Sequence, residues 1–160
     1  MKIRGFEDEN FTNYKKPVMF IGSAKCDWKC CKEVGRDTSM CQNSTLAKSP
    51  VMDIENEVIY NRYIKNPLTK AIVIGGLEPM LQIDEVYSLI DYFRFRECYD
   101  PFIIYTGYYK EEILELVTRL QDFKNIIIKF GRYIPDDKER KDEVLGIALA
   151  SSNQYAEIIS

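Results

Sequence analysis

Histidine is absent from this chain of 160 residues. Its absence removes the commonest zinc ligand and the commonest general base near neutral pH, leaving cysteines, carboxylates, tyrosines and lysines to carry any chemistry. Long apolar runs are missing too. No stretch approaches the ~20 residues that a membrane span needs, and the opening MKIRGFEDEN has no apolar segment of the secretory kind. A cytoplasmic protein without a membrane partner is expected. Positive charge is not in excess either: the net charge is −3 and the sequence pI about 5.2, so the overall field opposes nucleic acid. Lys15, Lys16, Lys25, Lys29 and Lys32 form the one local basic concentration and read as a solvated loop face. There is no internal repeat and no low-complexity tract.

What is present is a chain that is 46% hydrophobic, enough for one domain with a sizeable core spanning residues 1–160. Four of its five cysteines, Cys26, Cys30, Cys31 and Cys41, fall between residues 26 and 43, and the fifth, Cys98, lies far away in a helical segment. In a reducing compartment such a cluster points to metal ligands or redox groups rather than structural disulfides. Three thiolates converging in one loop suit an iron–sulfur cluster or a zinc ion, and the spacing alone does not choose between them. Cys98 reads as a small buried hydrophobe.

Strand and helix patterns alternate along the chain. Residues 1–16 read as a polar and aromatic lead-in with room for a short strand. Pro17–Gly22, Lys70–Gly76, Pro101–Gly107 and Asn125–Lys129 are short apolar runs of the buried-strand type, three of them closed by glycine. Helical spacing appears over Asp53–Lys65, ending before Pro67, over Asp84–Cys98 with Asp84 as a cap, and over Tyr109–Asp122. Asp136–Glu143 reads as a charged solvent loop, Val144–Ala150 as an apolar run, and Ala156–Ile159 as a last short strand. This order implies parallel strands with right-handed helical crossovers: an α/β fold with a mostly parallel open sheet, a partial (β/α) barrel because the units are too few for a closed one of about 250 residues. The cysteine loop follows the first apolar strand directly. Loops at the C-terminal ends of parallel strands form the ligand-binding face of such folds, and glycines there let backbone amides approach a ligand.

Several of these segments resemble one family. Cys26-Asp-Trp-Lys-Cys30 matches the first half of the CxxxCxxC signature of radical S-adenosylmethionine enzymes, and Cys41-Gln42-Asn43 is similar to its last cysteine with the CxN that follows. Gly75-Gly76-Leu77-Glu78-Pro79 resembles the GGEP segment with one inserted residue. Tyr105-Thr106-Gly107-Tyr108 with the helix after it, Ile127 to Tyr133, and Ala150-Ser151-Ser152-Asn153-Gln154 resemble the WTGY, DGRF and GSSNQ segments of the small activating proteins of anaerobic ribonucleotide reductase. The similarity runs from about residue 17 to 160 in that family's order.

One departure concerns the cysteines. The family places two residues between its second and third cysteines, whereas residues 31–40 separate Cys30 from Cys41 here, with Cys31 directly after Cys30. Either the loop carries an insertion and Cys26, Cys30 and Cys41 remain the ligands, or Cys31 replaces one of them. The first is adopted, because adjacent cysteines in an extended segment point to opposite sides.

The resemblance implies a radical S-adenosylmethionine type of partial barrel and a [4Fe–4S] cluster on Cys26, Cys30 and Cys41 with one iron left open. It implies that S-adenosylmethionine is chelated there and cleaved reductively to methionine and a 5′-deoxyadenosyl radical. Gly75, Gly76 and Glu78 would hold the methionine end, Met40 would touch adenine, Asn43 would follow the last ligand, and Thr106 and Asn153 would contact ribose or carboxylate. The implied partners are the glycyl-radical subunit of an anaerobic ribonucleotide reductase and an electron donor such as flavodoxin or ferredoxin. Two other readings stay open: a radical enzyme acting on a different small molecule or peptide, and a non-catalytic cluster or zinc module. Trp28 reads as a hydrophobic lid over the cluster or a partner contact, and Asp27 and Lys29 as solvated loop charges.

Overall fold

The computed structural model of the protein describes residues 1–160. Along the chain, strands β1 (Lys2–Asn10) and β2 (Val18–Ser23) are followed by the short helices α1 (Lys29–Glu33) and α2 (Ser44–Lys48), the two-residue strand β3 (Met52–Asp53) and helix α3 (Asn56–Lys65). Then come β4 (Ile72–Gly75), α4 (Ile83–Phe95), β5 (Phe102–Tyr105), α5 (Leu114–Leu120) and β6 (Ile126–Phe130), and last the strands β7 (Arg140–Asp142), β8 (Ile147–Leu149) and β9 (Tyr155–Ile158).

The isoleucine-rich runs form the centre of a seven-stranded sheet ordered β3-β1-β2-β4-β5-β6-β9. Neighbours among β2, β4, β5 and β6 are parallel, as the sequence predicts. The expectation of a mostly parallel sheet needs correction at its edges, because β1 pairs antiparallel with β2 and β3, and β9 pairs antiparallel with β6. The lead-in of residues 1–16 is thus chiefly a nine-residue strand. Its mixed composition hid it, since an outer strand half-open to water needs no apolar run. The charged stretch 136–143 also departs from a plain solvent loop: β7 pairs with β8 in a separate hairpin, and Asp142 is buried.

Strand alternation sorts the core onto two faces. Met19, Ile21, Ile72, Ile74, Phe102, Ile104, Ile126, Ile128 and Phe130 point to one face, where they pack with Ile59 and Tyr63 of α3, Val86, Leu89, Ile90 and Phe93 of α4, and Val117 and Leu120 of α5. Val18, Val73, Ile103 and Ile127 point to the other face, covered by Tyr14 and by Leu145 and Leu149 of the hairpin region. Because β2, β4, β5 and β6 follow one another in both chain and sheet order, right-handed crossovers place all three long helices on the same side. The other face, covered by the hairpin region instead of helices, has a cavity at the C-terminal ends of its strands. Both β3 and β9 are edges, so the sheet is open.

Helices follow the sequence pattern with shifted ends. The first starts later than Asp53 and stops before Pro67, the second ends at Phe95 rather than Cys98, and the third begins as a 3-10 turn over Lys110–Glu112 before α5. Cys98 lies just beyond α4, half-buried against the larger core.

Candidate functional site

The four clustered cysteines line one cavity of about 570 Å³ at the C-terminal ends of the parallel strands. Its wall is built from the chain segments that leave those strands. After β2 comes the cysteine loop, after β4 the Gly76-Leu77-Glu78 turn, after β5 Thr106 and Gly107, and at the end of β6 Lys129 and Gly131. Residues of the β7–β8 hairpin region close another side.

A left-handed Trp28, at φ 60°, starts α1 and turns the chain so that Cys30 and Cys31 sit on one helical turn rather than on an extended segment. They therefore diverge by helical geometry and not by strand alternation. Both still line the cavity, but Cys31 is only 7% exposed and its thiol abuts the Cys41 sulfur. The Cys26 sulfur accepts the Trp28 amide at 3.3 Å, and the Cys41 sulfur accepts the Asn43 amide at 3.4 Å. The Tyr133 backbone amide lies on the Cys30 side and favours its thiolate against burial, without closing a hydrogen bond to the sulfur. Two thiols, Cys26 and Cys41, thus accept a backbone N–H, and both are among the three predicted as ligands. Such N–H···S contacts stabilise a thiolate and tune the potential of a bound cluster.

Burial pushes the Cys26 thiol up to about 12, assisted by the nearby charges of Glu78, Asp27 and Cys30 and opposed by the Trp28 amide. Burial also raises Cys30 and Cys31. No three cysteine or carboxylate side chains are gathered closely enough to cage a single metal ion. That disfavours a preformed tetrahedral zinc site. Four thiols around one cavity, two of them met by amides, do fit a cluster, whose several irons spread their thiolates more widely than one ion does.

Glu78 is the best-connected side chain of the wall. It is 5% exposed, and one carboxylate oxygen accepts the Thr106 hydroxyl at 2.8 Å and the Met80 amide at 3.1 Å, while the other accepts the Gly107 amide at 2.8 Å. Burial pushes its pKa up to about 7 against the pull of those three hydrogen bonds. Its backbone amide donates to the Lys25 carbonyl at 2.7 Å, tying the turn after β4 to the start of the cysteine loop. A side chain at Gly107 would be tight here: a Cβ would stand 3.0 Å from the Cys30 sulfur and 3.5 Å from the Glu78 carboxylate.

Of the expected cofactor contacts, Met40, Asn43, Gly76, Glu78 and Thr106 line the cavity. Met40 is 54% exposed at the rim, and Asn43 precedes α2 without capping it by its side chain. Gly75 and Asn153 do not line it. Gly75 is the last residue of β4, and the Asn153 amide instead donates to the Tyr109 hydroxyl at 3.0 Å and the Arg132 carbonyl at 3.1 Å. From the terminal segment it is the next residue, Gln154, that faces the cavity.

Asp27 and Lys29 are not merely solvated. Asp27 accepts the Tyr108 hydroxyl at 2.6 Å, and Lys29 pairs with Glu112, which Arg132 grips with both terminal nitrogens at 2.8 and 2.7 Å. Glu33 comes within 2.6 Å of Arg132 Nε but off its N–H axis, so that nitrogen stays without a hydrogen bond. This network fastens α1 to the segment after β5.

Sequence reasoning passed over Lys129. It is the fourth residue of the run Ile126-Ile-Ile-Lys-Phe, lines the cavity at 7% exposure, and donates to the Gly131 carbonyl at 2.9 Å. The signal was a single charge inside an otherwise apolar strand.

A sheet with parallel strands converging on half-buried thiols, two of them met by backbone amides, defines a cysteine-ligated cofactor protein of α/β class. The chain belongs to the family described as 4Fe-4S single cluster domain, whose model matches residues 17–156. No curated protein and no solved structure matches it. No helix is long and apolar enough to cross a membrane.

Proposed function

We propose that this iron–sulfur protein is a radical S-adenosylmethionine enzyme, with the open sheet as an opened (β/α) barrel and Cys26, Cys30 and Cys41 as the cluster ligands. The single observation that carries the reading is the placement of the Glu78 carboxylate in the same cavity as those thiols. Clusters used only for electron transfer need no buried acidic group beside them. A ligand with an amino group has N–H donors that such a carboxylate can accept.

A [4Fe–4S] cluster with one uncoordinated iron supplies, when bound, the electron that splits the sulfonium of S-adenosylmethionine into methionine and a 5′-deoxyadenosyl radical. The protein's own part is to bind, orient and exclude water. Glu78, locked by Thr106, Gly107 and Met80, presents its carboxylate to the ligand's ammonium. Gly76 and Gly107 keep the wall thin enough for backbone approach, and Met40 and Leu77 offer apolar surface to adenine. No histidine is required, since abstraction of a hydrogen atom uses no general base.

The substrate we favour is a glycine of an anaerobic ribonucleotide reductase, with flavodoxin or ferredoxin as donor, on the strength of the motif order from residue 17 onward. A different small-molecule substrate is the second reading. It is favoured by Asn10, Thr12 and Asn13, which add a polar edge to the cavity.

The test is anaerobic reconstitution. The protein is expected to bind about four irons per chain and, with dithionite, to release 5′-deoxyadenosine from S-adenosylmethionine. Iron without deoxyadenosine sinks the radical reading. A glycyl-radical signal by electron paramagnetic resonance on adding the reductase supports the activating role, and its absence despite cofactor cleavage favours the second substrate class.

A further inference from the structure

Lys129 is a buried cation whose partner is missing from its own strand. Its ammonium lies at the end of β6, its one hydrogen bond goes to a neutral carbonyl, and no carboxylate lies within ion-pair distance. A charge held this far from water is costly unless something negative compensates it. The side chain shares the cavity wall with Cys30 and Glu78, the two groups whose charges oppose its desolvation. Arg132 acts on Cys30 more strongly still but is already paired with Glu33 and Glu112, which leaves Lys129 as the cation without a carboxylate of its own.

The backbone explains the placement. Lys129 is paired with Tyr105 across β5 and β6, and its carbonyl accepts the Thr106 amide at 2.9 Å. The next residue on that strand end, Gly107, is the glycine that leaves room for the Cys30 sulfur. Alternation along β6 then puts Lys129 on the same face as Ile127, toward the cavity, while Ile128 and Phe130 point to the helices.

We propose that Lys129 is the charge partner of the Cys30 thiolate, a positioning residue that sets how readily a cluster held by that thiolate accepts an electron. The inference rests on the cluster-binding reading above. Reduction adds one negative charge to a site already carrying thiolates and Glu78. A fixed cation beside one ligand favours the reduced state over the oxidised one, and burial prevents water and salt from screening it.

The test compares redox titrations of the anaerobically reconstituted full chain, followed by the electron paramagnetic resonance signal of the reduced cluster, for wild type, Lys129→Met and Lys129→Arg. Lys129→Met is expected to lower the midpoint potential by at least a tenfold change in the reduced-to-oxidised ratio at fixed potential, about 59 mV for one electron. Lys129→Arg is expected to stay near wild type. A Lys129→Met protein that keeps its iron and its potential overturns the proposal. Should Lys129→Met lose iron while Lys129→Arg keeps it, the charge is needed to hold the thiolate and the proposal stands; if both lose iron, the position serves packing and the proposal fails. Wild-type protein that binds no iron overturns the cluster reading itself, a result seen before any variant is made.

Discussion

The Glu78 carboxylate reaches across 28 residues of sequence to accept the Thr106 hydroxyl at 2.8 Å, coupling the turn after β4 to the end of β5. With the Gly107 and Met80 amides it completes a set of three donors. Those donors fix the aim of the carboxylate before any ligand arrives, which reduces the ordering cost of binding.

Replacing Glu78 therefore has two separable effects. Glu78→Ala leaves three buried donors unpaired and is expected to lower stability by about 1–3 kcal/mol, read by denaturant unfolding. Glu78→Gln keeps the shape but turns an amide donor toward existing donors and removes the charge. Its affinity for S-adenosylmethionine is expected to fall at least about tenfold, or about 1.4 kcal/mol, by equilibrium dialysis on the reconstituted protein. Unchanged affinity in Glu78→Gln would mean that the carboxylate does not meet the ligand.

Alanine at Cys26, Cys30 or Cys41 is expected to reduce bound iron to background after anaerobic reconstitution, whereas Cys31→Ala retains it. The distinction follows from the surroundings: Trp28 and Asn43 aim N–H groups at the Cys26 and Cys41 sulfurs, and the Tyr133 amide favours the Cys30 thiolate against its burial. Cys31 meets the Cys41 sulfur instead. Iron retained in Cys41→Ala and lost in Cys31→Ala would exchange their assignments.

The parts of the fold that sequence made legible are those in which one short segment decides its own state. Ile72–Gly75, Phe102–Tyr105 and Ile126–Phe130 are buried on both faces and so read as continuous apolar runs. Strand β1 escaped because its residues are held by pairing with β2 rather than by their own apolarity. Asp142 escaped for a similar reason: it is buried because the Leu145 and Ala156 amides, each at 2.9 Å, converge on it from later in the chain. At the site, the cysteines and Glu78 could be named from motif spacing. Lys129 and the preference for Gln154 over Asn153 depend on which way β6 and the last turn face, and no local pattern encodes that. The helical turn at Cys30-Cys31 depends on the left-handed Trp28, a conformation that side chains other than glycine adopt rarely.

Gly76 and Leu46 make a further pair of linked positions. Gly76 sits at φ +78°, and a Cβ there would come 2.4 Å from the Leu46 methyl; Gly22 and Gly5 meet the same side chain. The helix after Cys41 is thus seated on a shelf of glycines from three segments. Gly76→Ala is expected to cost about 1–3 kcal/mol, from the left-handed backbone and the collision together. Adding Leu46→Ala should relieve the collision but not the backbone strain, so a double-mutant cycle is expected to show partial rescue. Strict additivity of the two losses would mean that α2 shifts freely and the shelf does not locate it.

The ion network around Arg132 gives a pH prediction. Arg132, with help from Lys29 and the Tyr109 amide and against a desolvation that works the other way, holds the Glu112 carboxyl down to about 2 from an ordinary value of 4.5. A carboxyl whose folded pKa lies below its unfolded one contributes stability that is fully present above the unfolded value and lost as pH falls through the folded value. The stability difference between wild type and Glu112→Gln should accordingly be constant above about pH 4.5 and shrink steadily toward pH 2. Because Glu112 is partly open to solvent, the plateau is expected at about 1 kcal/mol rather than the larger figure that the full shift would give. Urea unfolding at several pH values measures it. A difference that persists unchanged to pH 2 would show that Glu112 acts through packing and its hydrogen bond to the Tyr109 amide, with no contribution from its charge.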